Sequence, residues 1–312
     1  MRARRSELST PASSRKMIVS AARSDADLVF LDLEDSVAPV AKDQARENAI
    51  WGLTELDWGG RTRAVRINGV ETEYAYRDVI GIAEGAAGHV DLLIIPKIRT
   101  ADHVIWVDIL LTQIEARLRQ PVPIGLEVLI EDVEALVNID RIARSSTRLE
   151  ALIFGPGDFA ASQGVDLDAA ASGGAGTGDP WAYARNRIVV TARAAGLEAI
   201  DGPFDRLDDL EGYRREARQA AACGYTGKWA IHPTQAAAAN EAFSPNPDDV
   251  TTARQLIASY RDAQERGEGV ITIDGRMVDA ASARPLEDKV RRADAIARAE
   301  EQRAAAPDPA KS

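Results

Sequence analysis

The sequence predicts an α/β fold, a (β/α)8 TIM barrel followed by a C-terminal helical and hairpin extension. Short, continuous apolar runs typical of buried parallel strands alternate with helical patterns through the first ~240 residues. Eight such units favour a closed barrel over an open doubly wound sheet. No Gly-x-Gly-x-x-Gly sequence follows a strand, so the dinucleotide-binding alternative lacks its main support.

The eight predicted strands are short, and the first and seventh are the weakest on their own. In chain order they are Glu7–Thr10, Leu28–Leu33, Arg63–Ile67, Leu92–Pro96, Ile124–Ile130, Ala151–Phe154, Glu198–Ile200 and Lys228–Ile231. Between the fourth and fifth, apolar residues three and four apart form one helical stripe, at Val104, Val107, Leu111, Ile114 and Leu118. Further helices are predicted at Ala182–Ala195 and, ending before Gly224, at Leu207–Ala222.

The barrel domain is expected to span residues 1–244, because Pro245-Asn-Pro247 marks a break in the pattern. Residues 245–303 are predicted to form a separate C-terminal segment. Its elements are a helix at Asp248–Arg266, a hairpin-like piece at Val270–Met277 and a charged helix at Leu286–Arg303. Residues 304–312 are expected to be a disordered tail.

Composition argues against several classes of protein. The 312 residues carry 38 basic and 49 acidic side chains, a net charge of −11, so neither nucleic acid nor a membrane is expected as a partner. No apolar run reaches the ~18 residues of a transmembrane helix. No apolar region follows the basic start, so a cytoplasmic protein is expected. The single cysteine, Cys223, excludes an internal disulfide, and the Gly-rich stretch Ser172–Gly178 is interpreted as a flexible surface insertion.

Two carboxylates each follow an apolar run that predicts a buried strand, Glu131 directly and Asp158 after a short Gly-Pro-Gly turn. On neighbouring strands they can close on one hard divalent cation. Mg²⁺ commonly takes one or two protein carboxylates and leaves its other positions to water and substrate. Mg²⁺ is therefore the predicted cofactor, with Mn²⁺ as the alternative. Each acid could instead cap a helix, Asp158 in particular a helix that starts at Phe159.

More charged residues lie at the ends of the second, third and fourth strands. Asp32, Glu34 and Asp35 either form a solvated turn that caps the next helix or surround the cation and hold its waters. Arg66 either forms a structural ion pair or binds a carboxylate and stabilises an enolate, because its planar guanidinium matches two oxygens and stays charged. Lys97 is expected to be kept charged by surrounding acids, which disfavours a Schiff-base role.

Five short motifs follow or end the predicted strands. They are Leu31–Pro39 (LDLEDSVAP), Val65–Gly69 (VRING), Phe154–Ser162 (FGPGDFAAS), Asp201–Phe204 (DGPF) and Gly227–Pro233 (GKWAIHP). Together they resemble the citrate lyase β-subunit-like (HpcH/HpaI aldolase) superfamily over nearly the whole chain. A further motif between Gly267 and Ser282 resembles the C-terminal extension of its malyl-CoA/β-methylmalyl-CoA lyase branch.

The resemblance implies a homotrimer or homohexamer of barrels with Mg²⁺ held by Glu131 and Asp158. It implies Arg66 at the reacting carbonyl. It implies Asp279 as an acid/base supplied by the C-terminal lid of a neighbouring subunit. The implied reaction is the reversible cleavage of a malyl-CoA-type 3-hydroxyacyl-CoA to glyoxylate and acetyl-CoA or propionyl-CoA.

The resemblance also suggests where the substrates bind. Glyoxylate is expected at Gly155, Pro156 and Gly157, since glycine lets backbone N–H groups approach its carboxylate. The loop after the first strand departs from the family's aromatic-x-Pro-Gly-Ser pattern. It keeps basic residues at Arg15 and Lys16, which are the candidate contacts for CoA.

Other functions fit parts of the same sequence. A malyl-CoA thioesterase would form the same enolate and then hydrolyse the thioester, which release of free CoA thiol would reveal. A citryl-CoA lyase like the citrate lyase β-subunit is disfavoured by the C-terminal motif that contains Asp279. A non-catalytic interaction protein is disfavoured because Glu131, Asp158, Arg66 and Asp279 are all present.

Overall fold

Eight parallel strands close into a barrel in the computed structural model, which describes residues 2–119, 123–165, 179–273 and 275–305. Each strand pairs with the next, and the eighth pairs with the first. The strands are β1 (Ser6–Pro11), β2 (Leu28–Asp32), β3 (Thr62–Arg66), β4 (Leu92–Ile95), β5 (Gly125–Ile130), β6 (Leu149–Phe154), β7 (Glu198–Asp201) and β8 (Gly227–Ala230). The predicted fold class is confirmed, and every predicted strand corresponds to an observed one.

Helices follow the strands and cover the outside of the barrel. They are α1 (Arg15–Ala22), α2 (Lys42–Glu55), α3 (Ala75–Gly85), α4 (Ala101–Leu118), α5 (Val133–Val137), α6 (Ile139–Ile142), α7 (Pro156–Gln163), α8 (Ala182–Ala195), α9 (Leu210–Cys223) and α10 (Pro233–Phe243). A short 3-10 turn, Pro39–Ala41, precedes α2. The helix predicted from Leu207 starts later, at Leu210, because the Asp209 side chain accepts a hydrogen bond from the Gly212 N–H and caps it.

The strands are continuous apolar runs because both of their faces are buried. One face points into the barrel, where Phe30, Leu129 and Trp229 belong to a single cluster. The alternate residues, such as Leu31 and Val128, belong to the larger cluster between barrel and helices. The rings of Phe30 and Trp229 lie 4.4 Å apart between centroids and fill the middle of the barrel.

Charged residues close the N-terminal end of the barrel. Arg4 forms ion pairs with the buried Glu127 and with Glu150. Glu7 of β1 faces the interior and accepts a hydrogen bond from Trp229 Nε1 at 2.9 Å. Burial raises the pKa of Glu7 to about 7. The first strand is therefore a weak pattern in the sequence because one of its inward positions carries a carboxylate.

The C-terminal segment from Ser244 belongs to a second compact unit. It contains α11 (Pro247–Glu265), an antiparallel hairpin of β9 (Ile271–Ile273) and β10 (Arg276–Val278), and α12 (Ala280–Ala305). Leu256, Tyr260, Val278 and Ala283 form its small core. A hairpin and two helices were predicted for this segment, and all three are present.

The last helix differs from its prediction at both ends. It starts at Ala280 rather than Leu286, because the Asp279 side chain accepts a hydrogen bond from the Ser282 N–H and caps it. Pro285 is accommodated inside the helix. The helix continues to Ala305, whereas residues 306–312 and the predicted insertion Ser172–Gly178 lie outside the described residues. In the described ranges, none of the helices is sufficiently long and apolar to cross a membrane.

Candidate active site

Asp32, Arg66 and Glu131 point into the barrel at the C-terminal ends of β2, β3 and β5. Every second side chain of a strand points to the same side, and the residues two positions before each of them belong to the interior cluster. Barrel enzymes place their active sites at this end, on the loops that follow the strands. The structure therefore brings together three residues that are far apart in the sequence.

Glu131 is buried, with 4% of its surface exposed. Its Oε1 accepts a hydrogen bond from the Lys97 backbone N–H at 2.6 Å. Its side chain packs directly against Gly155, where an added Cβ would lie 2.5 Å from the Glu131 Cβ. Burial, together with the negative charge of Asp158, raises the pKa of Glu131 to about 8. The contacts with Lys97 and Gly155 hold the carboxylate in place, and the positive charge of Arg66 lowers its pKa by less than burial raises it.

Asp158 lies in the first turn of α7 and is exposed. The N-cap of α7 is Gly155, so the alternative in which Asp158 caps a helix starting at Phe159 is wrong. Glu131 is not a cap either, because Asp132 caps α5 through a hydrogen bond from the Glu134 N–H. Both acids are therefore left for a role other than helix capping.

The donor set of Glu131 and Asp158 fits Mg²⁺. Both residues supply hard carboxylate oxygens, and within the part of the chain that the structure describes no three His, Cys, Asp or Glu side chains gather into a larger metal site. Two protein carboxylates with open positions for water and substrate are typical of Mg²⁺. A divalent cation beside Glu131 would offset the burial and the negative charge of Asp158, both of which raise its pKa.

Arg66 is paired with Asp32 through two parallel hydrogen bonds of 2.7 Å, from Nε to Oδ1 and from Nη2 to Oδ2. Burial alone would raise the pKa of Asp32, but the adjacent guanidinium of Arg66 outweighs burial and lowers it. The Arg66 guanidinium also lies 5.5 Å from the centre of the Trp229 ring and 6.0 Å from that of Phe30. The rings of Phe30 and Trp229 therefore pack against the guanidinium of Arg66.

The other two acids of the cluster also contact basic groups. Glu34 lies 3.0 Å from Arg66 Nη1 and 2.6 Å from Lys97 Nζ, and Asp35 accepts from Lys97 Nζ at 2.8 Å. Burial lowers the pKa of Lys97, but its hydrogen bonds to Asp35 and Glu34 outweigh burial and raise it. Lys97 is thus kept charged by acids, as the sequence predicted. That Asp32, Glu34 and Asp35 hold waters on the cation stays a prediction.

The glycines after β6 were predicted to present their N–H groups to glyoxylate, and only one of the two has the N–H available. The Gly155 N–H donates to the Ile130 carbonyl at 3.2 Å, so the prediction that it binds a substrate carboxylate is wrong. Gly157 lies in the first turn of α7, where N–H groups lack intrahelical acceptors, and the space beside its Cα is open. A Cβ at Gly202 would overlap the Phe154 carbonyl and Pro156. The DGPF motif therefore supports the start of α7.

Sequence reasoning missed a buried charge network behind this motif. Asp201 accepts a hydrogen bond from Lys228 Nζ at 2.7 Å and forms an ion pair with Arg185. Burial would raise the pKa of Asp201, but Lys228 and Arg185 outweigh it and lower the value. Lys228 Nζ also donates to the Gly202 carbonyl at 2.7 Å. The available signal was an aspartate that follows Ala-Ile at the end of β7 and a lysine beside the apolar residues of β8.

The candidate CoA contacts lie at the start of α1. Arg15 and Lys16 are both exposed. The Arg15 guanidinium lies 4.6 Å from the centre of the Trp51 ring, and its Nε donates to Asn48 Oδ1 at 2.9 Å. These contacts hold Arg15 on the surface of the barrel, and the CoA role of both residues stays a prediction.

Asp279 is a helix cap in the C-terminal unit. Its Oδ1 accepts hydrogen bonds of 2.8 Å from the Ser282 N–H and from Ser282 Oγ. These bonds lower the pKa of Asp279. Within one chain it is therefore a weak base, and the predicted acid/base role requires a change of surroundings.

Residues 5–233 match the family described as HpcH/HpaI aldolase/citrate lyase. The chain is 42% identical over 309 residues to L-malyl-CoA/beta-methylmalyl-CoA lyase of Cereibacter sphaeroides, a match that covers 95% of this chain and 96% of that protein. It is 31% identical over 279 residues to citrate lyase subunit beta of Leuconostoc mesenteroides subsp. cremoris, covering 89% of both.

Two solved structures show the same architecture. Protein CitE from Mycobacterium tuberculosis, in complex with magnesium, acetoacetate and coenzyme A, has a TM-score of 0.72 at 30% identity and covers 94% of this chain and 98% of that chain. A citrate lyase from Burkholderia xenovorans LB400 has a TM-score of 0.78 at 22% identity, covering 96% of this chain and 95% of that chain. The second comparison supports the fold alone.

Proposed function

Since the chain belongs to the HpcH/HpaI aldolase/citrate lyase family, we propose that it is a Mg²⁺-dependent carbon–carbon lyase of malyl-CoA-type substrates. It cleaves a 3-hydroxyacyl-CoA reversibly to glyoxylate and acetyl-CoA or propionyl-CoA. The observation that carries this proposal is the buried Glu131 carboxylate, which points into the C-terminal end of the barrel and lies near enough to Asp158 for that charge to raise its pKa. A relative with 42% identity bears the name of this activity.

Glu131 and Asp158 would hold the cation. When bound, Mg²⁺ acts as a Lewis acid on the carbonyl of the keto acid, where negative charge develops. The Lys97 N–H and Gly155 hold the Glu131 side chain from two sides. Mn²⁺ remains the alternative ion, because the same hard oxygen ligands suit it.

Arg66 stabilises the oxyanion of the reacting group. A guanidinium carries five N–H donors, so its contacts with Asp32 and Glu34 do not exhaust its capacity for a substrate oxygen. The bidentate pair with Asp32 fixes the guanidinium plane before substrate binds, and preorganised charge of this kind costs no reorganisation during the reaction. The centre of the Trp229 ring lies 5.5 Å from the same guanidinium.

Asp279 is the proposed acid/base. In cleavage it takes the hydroxyl proton of the 3-hydroxyacyl-CoA. The bond between the hydroxyl carbon and the α-carbon then breaks, its electrons form the thioester enolate, and a proton returns to the α-carbon. In condensation Asp279 takes the α-proton instead. Because hydrogen bonds from Ser282 lower its pKa within one chain, it needs a more buried setting to be basic enough. A neighbouring subunit's barrel in a homotrimer or homohexamer would provide that setting.

Glyoxylate and CoA are assigned to two different sets of residues. The Gly157 N–H, in the first turn of α7, donates to the glyoxylate carboxylate, since helix starts favour anions. Arg15 and Lys16 contact the phosphates of CoA, and a relative at 30% identity was solved with coenzyme A. We also propose that the protein is cytoplasmic and that it binds neither nucleic acid nor a membrane.

The test is incubation of the protein with Mg²⁺, glyoxylate and either acetyl-CoA or propionyl-CoA, followed by mass analysis of the CoA esters. Formation of malyl-CoA or its methyl homologue, abolished by a chelator, is the expected result. Release of free CoA thiol and malate from malyl-CoA would indicate a thioesterase. Cleavage of citryl-CoA alone would indicate a citryl-CoA lyase. Absence of any new ester and of any cleavage would reject a lyase function.

A further inference from the structure

Lys97 has a left-handed backbone conformation, with φ 52°, at the second position after the fourth barrel strand. Residues other than glycine and asparagine rarely adopt this conformation, because their Cβ crowds the following carbonyl. Among the residues that the structure describes, the only other non-glycine with positive φ is Arg119, which ends α4, where this conformation is common. Lys97 lies in a βα loop at the active-site end, so its strain has a different reason.

The Lys97 N–H contacts Glu131 at the point where the chain turns after β4. The N–H donates to Glu131 Oε1 at 2.6 Å. Glu131 is buried on the interior side of the barrel. The direction of this N–H is set by the peptide plane before Lys97, whereas φ of Lys97 sets the course of the chain after it. The left-handed conformation therefore lets the chain turn at Lys97 while the N–H stays on Glu131. A residue that resists this conformation would shift the loop, and with it the hydrogen bond that orients the carboxylate.

The ammonium group of Lys97 contacts the acids beside Arg66. Its Nζ lies 2.6 Å from Glu34 and 2.8 Å from Asp35. The second oxygen of Glu34 lies 3.0 Å from Arg66 Nη1. One residue thus links the carboxylate that would bind the cation to the arginine that would bind the oxyanion.

We propose that Lys97 is a positioning residue of the active site. Its backbone N–H orients Glu131 for the cation, and its ammonium, acting through Glu34, orients Arg66. Lys97 itself touches neither the cation nor the substrate. The inference rests on the proposed function, since it assumes that Glu131 binds Mg²⁺.

The backbone role is tested by calorimetric Mg²⁺ titration of the metal-free full chain. Lys97→Gly and Lys97→Val both lack the ammonium, but only glycine adopts the left-handed region freely, whereas a β-branched residue resists it. Lys97→Gly should bind Mg²⁺ within about threefold of wild type, and Lys97→Val at least tenfold more weakly than Lys97→Gly. Equal affinities in the two variants would overturn the backbone role.

If Lys97→Val does not fold, Lys97→Ala takes its place, judged by the same comparison with Lys97→Gly. The ammonium role is tested by kcat at saturating Mg²⁺. Lys97→Gly should lose at least tenfold in kcat while retaining metal affinity, and Lys97→Arg should recover most of the loss. A wild-type kcat in Lys97→Gly would overturn the ammonium role. Absence of Mg²⁺ binding by the wild-type chain would instead count against the proposed function.

Discussion

Both carboxylate oxygens of Asp32 accept hydrogen bonds from Arg66, one from Nε and one from Nη2, each at 2.7 Å. The two residues lie opposite each other in the register of β2 and β3, and both are buried. A pair with two parallel bonds fixes the plane of the guanidinium as well as its position. The arginine is therefore aligned by the fold rather than by the substrate.

We expect Arg66→Lys to be nearly as damaging to turnover as Arg66→Ala. A compact ammonium cannot reproduce two parallel bonds to Asp32 and also face a substrate oxygen. Steady-state kcat/KM of both variants is the measurement, with circular dichroism as the control for folding at the assay temperature. A lysine variant within about threefold of wild type, roughly 0.6 kcal/mol of barrier, would show that the planar geometry is irrelevant.

Glu131→Gln and Asp158→Asn should each abolish turnover and leave the chain folded. Each removes one hard oxygen ligand from a cation with few protein contacts. Calorimetric Mg²⁺ titration is the measurement, and Asp132→Asn, which alters the neighbouring helix cap, is the matched control. Wild-type affinity in either site variant would remove that residue from the metal site.

Gly155→Ala should weaken Mg²⁺ binding at least tenfold, whereas Gly157→Ala should not. A methyl group at Gly155 would lie 2.5 Å from the Glu131 Cβ and displace the carboxylate, while the space beside Gly157 is open. The two variants differ by the same single methyl group, so metal titrations of the pair compare position alone. Equal affinities would mean that the contact between Gly155 and Glu131 does not set the metal site.

Asp279→Asn should retain metal binding but lose proton transfer, a step that general acid–base catalysis speeds by ~10²–10⁴-fold. If the residue acts in a neighbouring subunit, mixing inactive Asp279→Asn with inactive Glu131→Gln subunits should restore part of the activity. Each mixed interface could then pair an intact metal site with an intact acid/base. The measurement is turnover after subunit exchange has been verified by mass spectrometry. No recovery would place Asp279 at its own barrel or outside catalysis.

Glu7→Gln should change how stability depends on pH. Burial raises the pKa of Glu7 from 4.5 to about 7, so between these values the folded chain binds more protons than the unfolded chain. The contribution of Glu7 to the unfolding free energy is full below pH 4.5, falls as the pH rises to 7, and then levels off. At ~1.4 kcal/mol per pKa unit this loss is at most about 3–4 kcal/mol.

Denaturant unfolding of wild type and Glu7→Gln at pH 4.5 and pH 8 measures this effect. The glutamine variant should gain stability relative to wild type at pH 8, because it avoids a buried charge while its amide oxygen still accepts from Trp229 Nε1. The same stability difference at both pH values would show that Glu7 titrates near its ordinary pKa in the folded chain.

The sequence determined the barrel and the position of its main functional groups. Continuous apolar runs alternating with helical stripes specify parallel βα units, and the C-terminal ends of parallel strands necessarily meet at one end of a barrel. A charged residue at the end of such a run or directly after it, as at Arg66 and Glu131, is therefore placed at the C-terminal end of the barrel by the strand pattern alone. The second compact unit includes Ser244–Pro307, and the Pro245-Asn-Pro247 break lies at the start of that range.

Only the tertiary structure decided which of these groups contact one another. The pairing of Asp32 with Arg66 depends on the register between β2 and β3, and the bond from the Lys97 N–H to Glu131 depends on the pairing of β4 with β5. Hydrophobic periodicity records which face of an element is buried, but it carries no information on registers or on single φ angles. For the same reason the Gly155 N–H was mistaken for a free donor, since its bond to the Ile130 carbonyl forms only when β5 and the start of α7 lie side by side.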